Sequence, residues 1–206
     1  MTVDNTKKKN ILIVHNYYQI PGGEDTVVAN EKKMLEKHDH KVILYSRNNA
    51  ELKQMSKIQK AFLPITTVFN PRTYRDIKKL IGEEKIEVVH VHNTLNLVSP
   101  AVYYAARRMK VPVVQTIHNF RLLCPSATFY RDGHICEDCV EYGLKCAVKH
   151  SCYRGSKIQT LACVLSTVFH RMTGIYGKIN YICLTDFNKK KLLELKQIKP
   201  ERVFVK

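Results

Sequence analysis

The chain has 206 residues, 45% of them hydrophobic and 25% charged, which suffices for one globular domain with its own core. The net charge of +16 favours an anionic partner, namely nucleic acid, an acidic membrane surface or a phosphorylated ligand, without choosing among them. No secretory signal pattern is present, and the longest apolar run, residues 161–169, is far shorter than the ~20 residues of a membrane span. We therefore expect a cytoplasmic protein.

The first predicted elements are a strand, a glycine turn and a helix. Residues 1–9 are a lysine-rich lead-in that we expect to be disordered, and residues 11–14 (ILIV) are typical of a buried strand. Pro21-Gly22-Gly23 follows, and a helix begins near Glu24. This order places the glycine turn at the carboxyl end of the strand, where open α/β sheets bind their ligands.

Strands and helices alternate along most of the remaining chain. Strands are predicted at residues 41–46, 86–91, 111–117, 181–184 and 202–205, and helices at 71–81, 99–109, 156–176 and 187–196. Residues 48–70 remain ambiguous, and Ser99-Pro100 is interpreted as a cap and first position of its helix. The alternation predicts an α/β fold with a doubly wound, mostly parallel sheet, interrupted by an insertion at about 120–154.

The helix predicted at 156–176 carries an apolar row at helical spacing. The row comprises Leu161, Val164, Leu165, Val168 and Phe169. We interpret it as core packing rather than as a membrane-inserting face.

Gly22 and Gly23 have two possible explanations. A glycine turn lets a backbone approach a phosphate, and the helix that follows supplies amide donors and a favourable dipole. The same two residues are also compatible with a tight turn and no ligand. The sequence around them is neither G-x-G-x-x-G nor a P-loop, so a generic dinucleotide site is not supported.

Three predicted strands end in a His-Asn pair. The pairs are His15-Asn16, His92-Asn93 and His118-Asn119. A histidine at the ligand edge of a sheet can donate a hydrogen bond near a phosphate, and the alternative is a structural loop histidine. His90 should lie deeper on the same strand face as His92, which favours core packing for it.

Four cysteines in the insertion have the spacing C-x2-C-x6-C-x5-C. They are Cys136, Cys139, Cys146 and Cys152. Four thiolates at short spacing could hold one structural zinc ion, with His134, His150 or Cys124 as substitute ligands. Disulfides and free thiols remain alternatives, and Cys163 and Cys183 lie in apolar contexts typical of a core.

The charge and the cysteines together also suggest a different class of function, a non-enzymatic zinc-bearing nucleic-acid-binding module. The aromatic residues are not interleaved with basic ones as a base-stacking platform requires, so nucleic acid is the less favoured partner.

Four stretches of the sequence resemble the N-terminal domain of family 4 glycosyltransferases. They are HNYYQIPGGEDTVV, VVHVHNTLNLVSP, VPVVQTIHNFRLLCP and the later CEDC…CYRGS, and the likeness extends from about residue 10 onward. The resemblance implies a Rossmann-like domain over 10–206, the acceptor-side half of a retaining enzyme with the GT-B fold. It also implies that the C-terminal donor-binding domain is absent from this chain, which should then be inactive alone.

The resemblance also assigns roles to residues of this chain. Gly22 and Gly23 would approach the diphosphate of a nucleotide-sugar donor, and His118 would contact the transferred sugar as the catalytic candidate. Acceptor-side candidates are His15, Asn16, His92, Asn93 and Asn119. The acceptor would be lipid-linked or a polysaccharide under synthesis, reached at the inner face of the membrane through the basic surface. No cofactor is expected for catalysis.

Overall fold

The computed structural model describes residues 7–206, in which six parallel strands form one sheet. The strands are β1 (Asn10–Tyr17), β2 (Lys41–Asn48), β3 (Val88–Asn93), β4 (Val113–Ile117), β5 (Tyr130–Arg131), β6 (His134–Ile135), β7 (Asn180–Cys183) and β8 (Val203–Val205). The main sheet has the order β2-β1-β3-β4-β7-β8, and β5 and β6 form a separate antiparallel hairpin. The predicted α/β class and parallel sheet are confirmed.

Nine α-helices connect and cover these strands within the described part of the chain. They are α1 (Gly23–Lys37), α2 (Glu51–Gln54), α3 (Lys57–Val68), α4 (Pro71–Glu83), α5 (Ala101–Arg108), α6 (Asp138–Glu141), α7 (Lys145–Lys149), α8 (Lys157–Met172) and α9 (Asp186–Leu192). Short 3-10 turns span Ile175–Lys178 and Pro200–Arg202. No helix in residues 7–206 is both long and apolar enough to cross a membrane.

The two faces of the central strands bury different sets of side chains. On β1, Leu12 and Val14 belong to the large core that also includes residues of α4 and α5, such as Ile77 and Val102. Ile13 faces the other way and packs with Val28 of α1. This alternation follows from the two-residue period of a strand covered by helices on both faces.

Several element boundaries differ from the predicted ones. Helix α5 begins at Ala101 with Pro100 as its N-cap, and not at Pro100 with Ser99 as the cap. Ser99 has φ = 63°, and its hydroxyl accepts a hydrogen bond from the backbone of Asn70 at 2.9 Å. Strand β4 begins at Val113, since Pro112 has no N–H to offer the sheet.

The ambiguous segment 48–70 and the long helix 156–176 are also resolved. Residues 48–70 contain the two helices α2 and α3. Helix α8 ends at Met172, because Gly174 adopts φ = 66° and starts a 3-10 turn. Residues 1–6 of the predicted disordered lead-in lie outside the described residues, and the ammonium of Lys9 pairs with Glu87 at 2.6 Å.

The interpretation of the α8 row as core packing is wrong for most of its members. Val164 is buried, but Leu161, Leu165, Val168 and Phe169 are 36–51% exposed. The spacing identifies one face of a helix correctly, yet it does not establish that another element covers this face.

Candidate functional site

The glycine turn lies where β1 ends and α1 begins, as predicted. Gly22 is the N-cap residue of α1, with φ = −127° and ψ = 178°, an extended conformation that other residues adopt without strain. A Cβ added at Gly22 or Gly23 would meet no atom within 4 Å. Neither backbone strain nor crowding therefore requires glycine at these two positions.

His15 is connected to this turn through Asp25. Its imidazole Nε2 lies 2.8 Å from Oδ1 of Asp25, and the other carboxylate oxygen accepts a hydrogen bond from the backbone N–H of Gly22 at 3.0 Å. The pairing of β1 with β3 shifts its register between Val14 and His15. Such irregularities re-aim side chains near sites, and this one lies at the end of β1 where the turn begins.

Glu24 is the most perturbed carboxyl group at the turn. Burial first, and then the negative charge of Asp25, raise the pKa of Glu24 to about 7, although Tyr18 and Arg121 act in the opposite direction. Its buried Oε1 has no hydrogen-bond partner within residues 7–206. The carboxyl group is therefore partly protonated near neutral pH, and it can donate a hydrogen bond there as well as accept one.

A second carboxylate, Glu31 of α1, reaches the end of β3 from the same helix. Its Oε2 lies 3.1 Å from Nε2 of His92 and 3.7 Å from Nε2 of His90, and Lys206 pairs with Oε1. The 3.1 Å approach is not aligned as a hydrogen bond, so Oε2 and His92 Nε2 both lack a hydrogen-bond partner within the described residues. Burial tends to raise the pKa of Glu31, but its contacts with His92 and Lys206 lower it to about 2.

His92 links Glu31 to His118. Nδ1 of His92 lies 2.9 Å from Nε2 of His118, and the two rings stack with centroids 5.2 Å apart. The His15 ring lies nearly perpendicular to the His92 ring, with 6.2 Å between their centroids. The structure thus places the glycine turn and His118 at the same edge of the sheet, joined through His15 and His92.

His118 is neutral at pH 7 in this arrangement. Burial first, and the neighbouring His92 second, lower the pKa of His118 to about 4. His90 has the same shift for the same two reasons, and its Nε2 lies 2.8 Å from the hydroxyl of Thr116. His90 is buried, as predicted, but it contacts polar groups.

The asparagines of the strand ends hold loops in this structure. The side chain of Asn93 donates to the backbone carbonyl of Asn16 at 2.8 Å, and Oδ1 of Asn16 accepts from the backbone of Leu97 at 2.9 Å. Asn119 accepts from the backbone of Arg121 at 3.0 Å. These bonds keep the loops after β1, β3 and β4 in fixed positions around His118.

A small cavity of about 60 Å³ adjoins His118 at this edge. It is lined by Asn93, Asn119 and Arg121, among others, and by Cys163 of α8. The guanidinium of Arg121 donates to the backbone carbonyl of Pro125 at 2.9 Å and lies 5.2 Å from the ring centroid of Tyr153. A fixed positive charge therefore lies beside the candidate sugar-binding histidine.

Two groups of side chains within residues 7–206 bring three potential metal-ligand atoms within 4.8 Å of one another. One comprises Glu31, His90 and His92, and the other His15, Glu24 and Asp25. The thiols of the insertion do not form such a group, although Cys139, Cys146 and Cys152 pack in one small cluster. All seven cysteines are free thiols, and burial raises the pKa of Cys139 to about 12.

Sequence reasoning missed Glu24, Glu31 and Arg121 as members of the site. The sequence places Glu24 only at the start of a helix, and its raised pKa results from burial that the sequence does not reveal. Glu31 lies on α1 about two turns after Gly23, so only the position of α1 in the folded chain brings it to His92. The FRLLCP stretch was the one signal that could have pointed to Arg121.

Comparison with known proteins identifies the family of this chain. The family model of glycosyltransferase family 4 matches residues 21–134, which include the glycine turn, β3 and His118. An uncharacterized 42.6 kDa protein in the cps region of Klebsiella pneumoniae is 26% identical over 120 residues, 54% of this chain. The matched region is 32% of that relative, so the chain spans about a third of its length. Because the family model covers more than half of the chain, the chain belongs to glycosyltransferase family 4.

Proposed function

We propose that this chain is the acceptor-side half of a retaining glycosyltransferase with the GT-B fold. The enzyme would move a sugar from a nucleotide-sugar donor to a lipid-linked or polysaccharide acceptor, and this half would be inactive without a donor-binding domain. Family membership supports sugar transfer. The relative from a cps region supports the same reading, although that protein is itself uncharacterized.

The observation that carries the proposal is the open space at Gly22 and Gly23. The two glycines lie at the N-terminus of a 15-residue helix, and a Cβ at either would project into that space. A diphosphate there would meet backbone N–H groups and the positive end of the helix dipole. Negative charge grows on the departing diphosphate during transfer, so these donors would stabilise the transition state more than the ground state.

His118 would contact the transferred sugar as a neutral imidazole. With its pKa near 4, it can accept or donate a hydrogen bond to a sugar hydroxyl at pH 7 without carrying a charge. His15, Asn16, His92, Asn93 and Asn119 would support the acceptor side of the site. In a retaining transfer of this kind the donor phosphate helps to deprotonate the acceptor, so no protein base and no catalytic metal are needed.

The proposed setting is the inner face of a membrane. The net charge of +16 would attract acidic lipid headgroups, each basic residue near the surface contributing about 1 kcal/mol. An acceptor anchored in the membrane would then be presented to the edge of the sheet.

The test is His118→Ala in the longer enzyme that we propose contains this chain. Labelled nucleotide sugars are screened with lipid-linked acceptors, and the variant should lose at least a hundredfold in turnover because it removes a contact to the reacting sugar. His134→Ala is the matched control, since His134 is exposed in the β5–β6 hairpin. Product NMR reports the anomeric configuration.

Equal turnover of both histidine variants would remove His118 from the mechanism. An inverted anomeric centre would contradict the retaining assignment. Failure of every nucleotide sugar to react in the unmodified enzyme would contradict the proposed function itself.

A further inference from the structure

A second cavity, larger than the one beside His118, lies between α3 and α8. The two helices run side by side, with the hydroxyl of Ser166 donating to the carbonyl of Thr67 at 3.4 Å and Nε2 of His170 lying 2.8 Å from the carbonyl of Val68. Nearer their N-terminal ends, residues of both helices line a groove of about 420 Å³. This volume lies within the range of small-molecule binding sites.

The floor and walls of this α3–α8 groove are largely apolar. Leu63 and Pro64 of α3 face Ile158 and Ala162 of α8 across it, with Leu52 of α2 at one side. Ile158 is 72% exposed, although it is a large aliphatic residue. An apolar occupant would remove this surface from water, which is favourable in proportion to the area covered.

Three cations surround the groove, and no acidic residue lines it. They are Lys53, Lys60 and Arg154, all exposed. Within residues 7–206 none of the three forms a salt bridge. An occupant that complements the groove therefore combines a hydrocarbon part with a negatively charged part.

The groove opens near the candidate site. Gln19 and Asn96, which line it, belong to the loops that follow β1 and β3 at the carboxyl edge of the sheet. Tyr153 separates the two cavities: it lines the groove, and the guanidiniums of Arg154 and Arg121 lie 5.4 and 5.2 Å from its ring centroid. Arg121 in turn lines the cavity beside His118.

The groove also continues into an exposed apolar stripe. Ile158, Leu161, Leu165 and Met172 recur along α8 at helical spacing and are 45–82% exposed. An exposed apolar stripe of this kind is typical of helices that lie against a lipid surface. A chain that leaves a membrane at this stripe would enter the groove directly.

We propose that the α3–α8 groove binds the hydrocarbon chain of a lipid-linked acceptor whose phosphate or diphosphate is held by Lys53, Lys60 and Arg154. The proposal rests on the proposed function and selects the lipid-linked acceptor over the free polysaccharide. The hydrocarbon chain lies between α3 and α8, and the sugar of the acceptor points past Tyr153 towards His118.

The test uses the 206-residue chain and geranylgeranyl diphosphate as the probe, below its micelle concentration. Ile158→Ser and Lys60→Glu should each weaken its binding at least fivefold in calorimetry. Met172→Ser and Lys57→Glu are matched controls on the same two helices outside the groove lining, and they should bind as the unmodified chain does. Geranylgeraniol and inorganic diphosphate, which carry only one of the two required parts, should bind at least tenfold more weakly.

Equal effects of the groove variants and their controls would overturn the proposal. The same conclusion follows if inorganic diphosphate alone binds as tightly as the probe. Vesicles of anionic phospholipid are tested as competitors of the probe. If they compete fully, and Ile158→Ser and Met172→Ser weaken vesicle binding equally, this face is a general membrane surface and the proposal of a specific acceptor groove is wrong. None of these readouts requires sugar transfer. Binding in the groove can therefore be confirmed even if the transferase assay fails, and sugar transfer can be confirmed even if the groove does not bind the probe.

Discussion

Glu24 illustrates how burial changes the role of a single residue at this site. Its position in the first turn of α1 suggests only a favourable interaction with the helix dipole. In the folded chain its pKa rises to about 7 from an ordinary value of 4.5. The folded state therefore holds a proton that the unfolded state releases between these two pH values.

This proton makes a measurable contribution to stability. A carboxyl group with a raised folded pKa stabilises the fold fully below pH 4.5, and this contribution is lost as the pH rises through 7. We expect Glu24→Gln to be more stable than the unmodified chain at pH 8, by up to ~3 kcal/mol, and to show little difference at pH 4.5. Urea unfolding at the two pH values measures this.

Glu141→Gln, at an exposed position in α6, is the control and should give no such pH-dependent difference. If the difference in unfolding free energy between Glu24→Gln and the unmodified chain is the same at both pH values, Glu24 has an ordinary pKa in the folded chain.

The histidine pairs show what the sequence can and cannot predict at the residue scale. His15, His92 and His118 could be assigned to one sheet edge because each follows a run of apolar residues, and parallel strands share a carboxyl edge. The contact between His92 and His118 depends on the order of β3 and β4 in the sheet, which the chain order does not state. The approach of Glu31 to His92 depends likewise on how α1 packs in the folded chain.

At the scale of single elements, the strands and most of the longer helices follow closely from periodicity, whereas α3 and the insertion do not. Residues 120–154 contain a hairpin whose two strands, β5 and β6, have only two residues each, and two helices of about one turn each, α6 and α7. Such short elements carry too few residues for a period to be recognised. For helix α8, periodicity predicts the apolar face correctly. It does not predict whether that face is buried, because burial depends on which neighbouring elements pack against it.

Zinc binding by the insertion remains a prediction that can be tested directly. No three of its thiols lie within 4.8 Å in residues 7–206, so a zinc ion would have to draw Cys136, Cys139, Cys146 and Cys152 together. We expect about one zinc per chain in elemental analysis of untagged protein, lost in the Cys136→Ser, Cys139→Ser double variant.

Cys183→Ser, in β7, should keep its zinc and serves as the control. Protein prepared under reducing conditions and found free of zinc would reject the site.

At the scale of the whole molecule, the buried imidazoles determine the response to acid. The pKa values of His90 and His118 are about 4, and burial also lowers the pKa of His15 and His170. An unfolded histidine titrates near 6.5, so the unfolded chain binds more protons between pH 6.5 and 4. The stabilising effect of these neutral rings is present above pH 6.5 and is lost as the pH falls towards 4.

We therefore expect the chain to lose stability, by a few kcal/mol in total, between pH 6.5 and 4. Glu24 acts in the opposite direction over part of this range, so the Glu24→Gln background isolates the histidines. Denaturant midpoints measured at pH 7 and pH 5 should differ in that background, and His90→Gln should reduce the difference. Equal midpoints would show that the buried imidazoles are protonated as easily as free ones.

The all-parallel order of the main sheet has a consequence for how the molecule is assembled. Strands β1, β2 and β3 all precede residue 94 and pair with one another, with β1 between the other two. Strand β4 adds to β3, but its other edge pairs with β7, which follows the entire insertion. During synthesis on the ribosome, the strand ends that carry His15 and His92 can therefore be brought together long before β7 and β8 have been made. The addition of the last two strands is then a late step of folding, since the pairing of β4 with β7 joins residues as far apart as Val114 and Asn180 and requires the chain to have passed the insertion and α8.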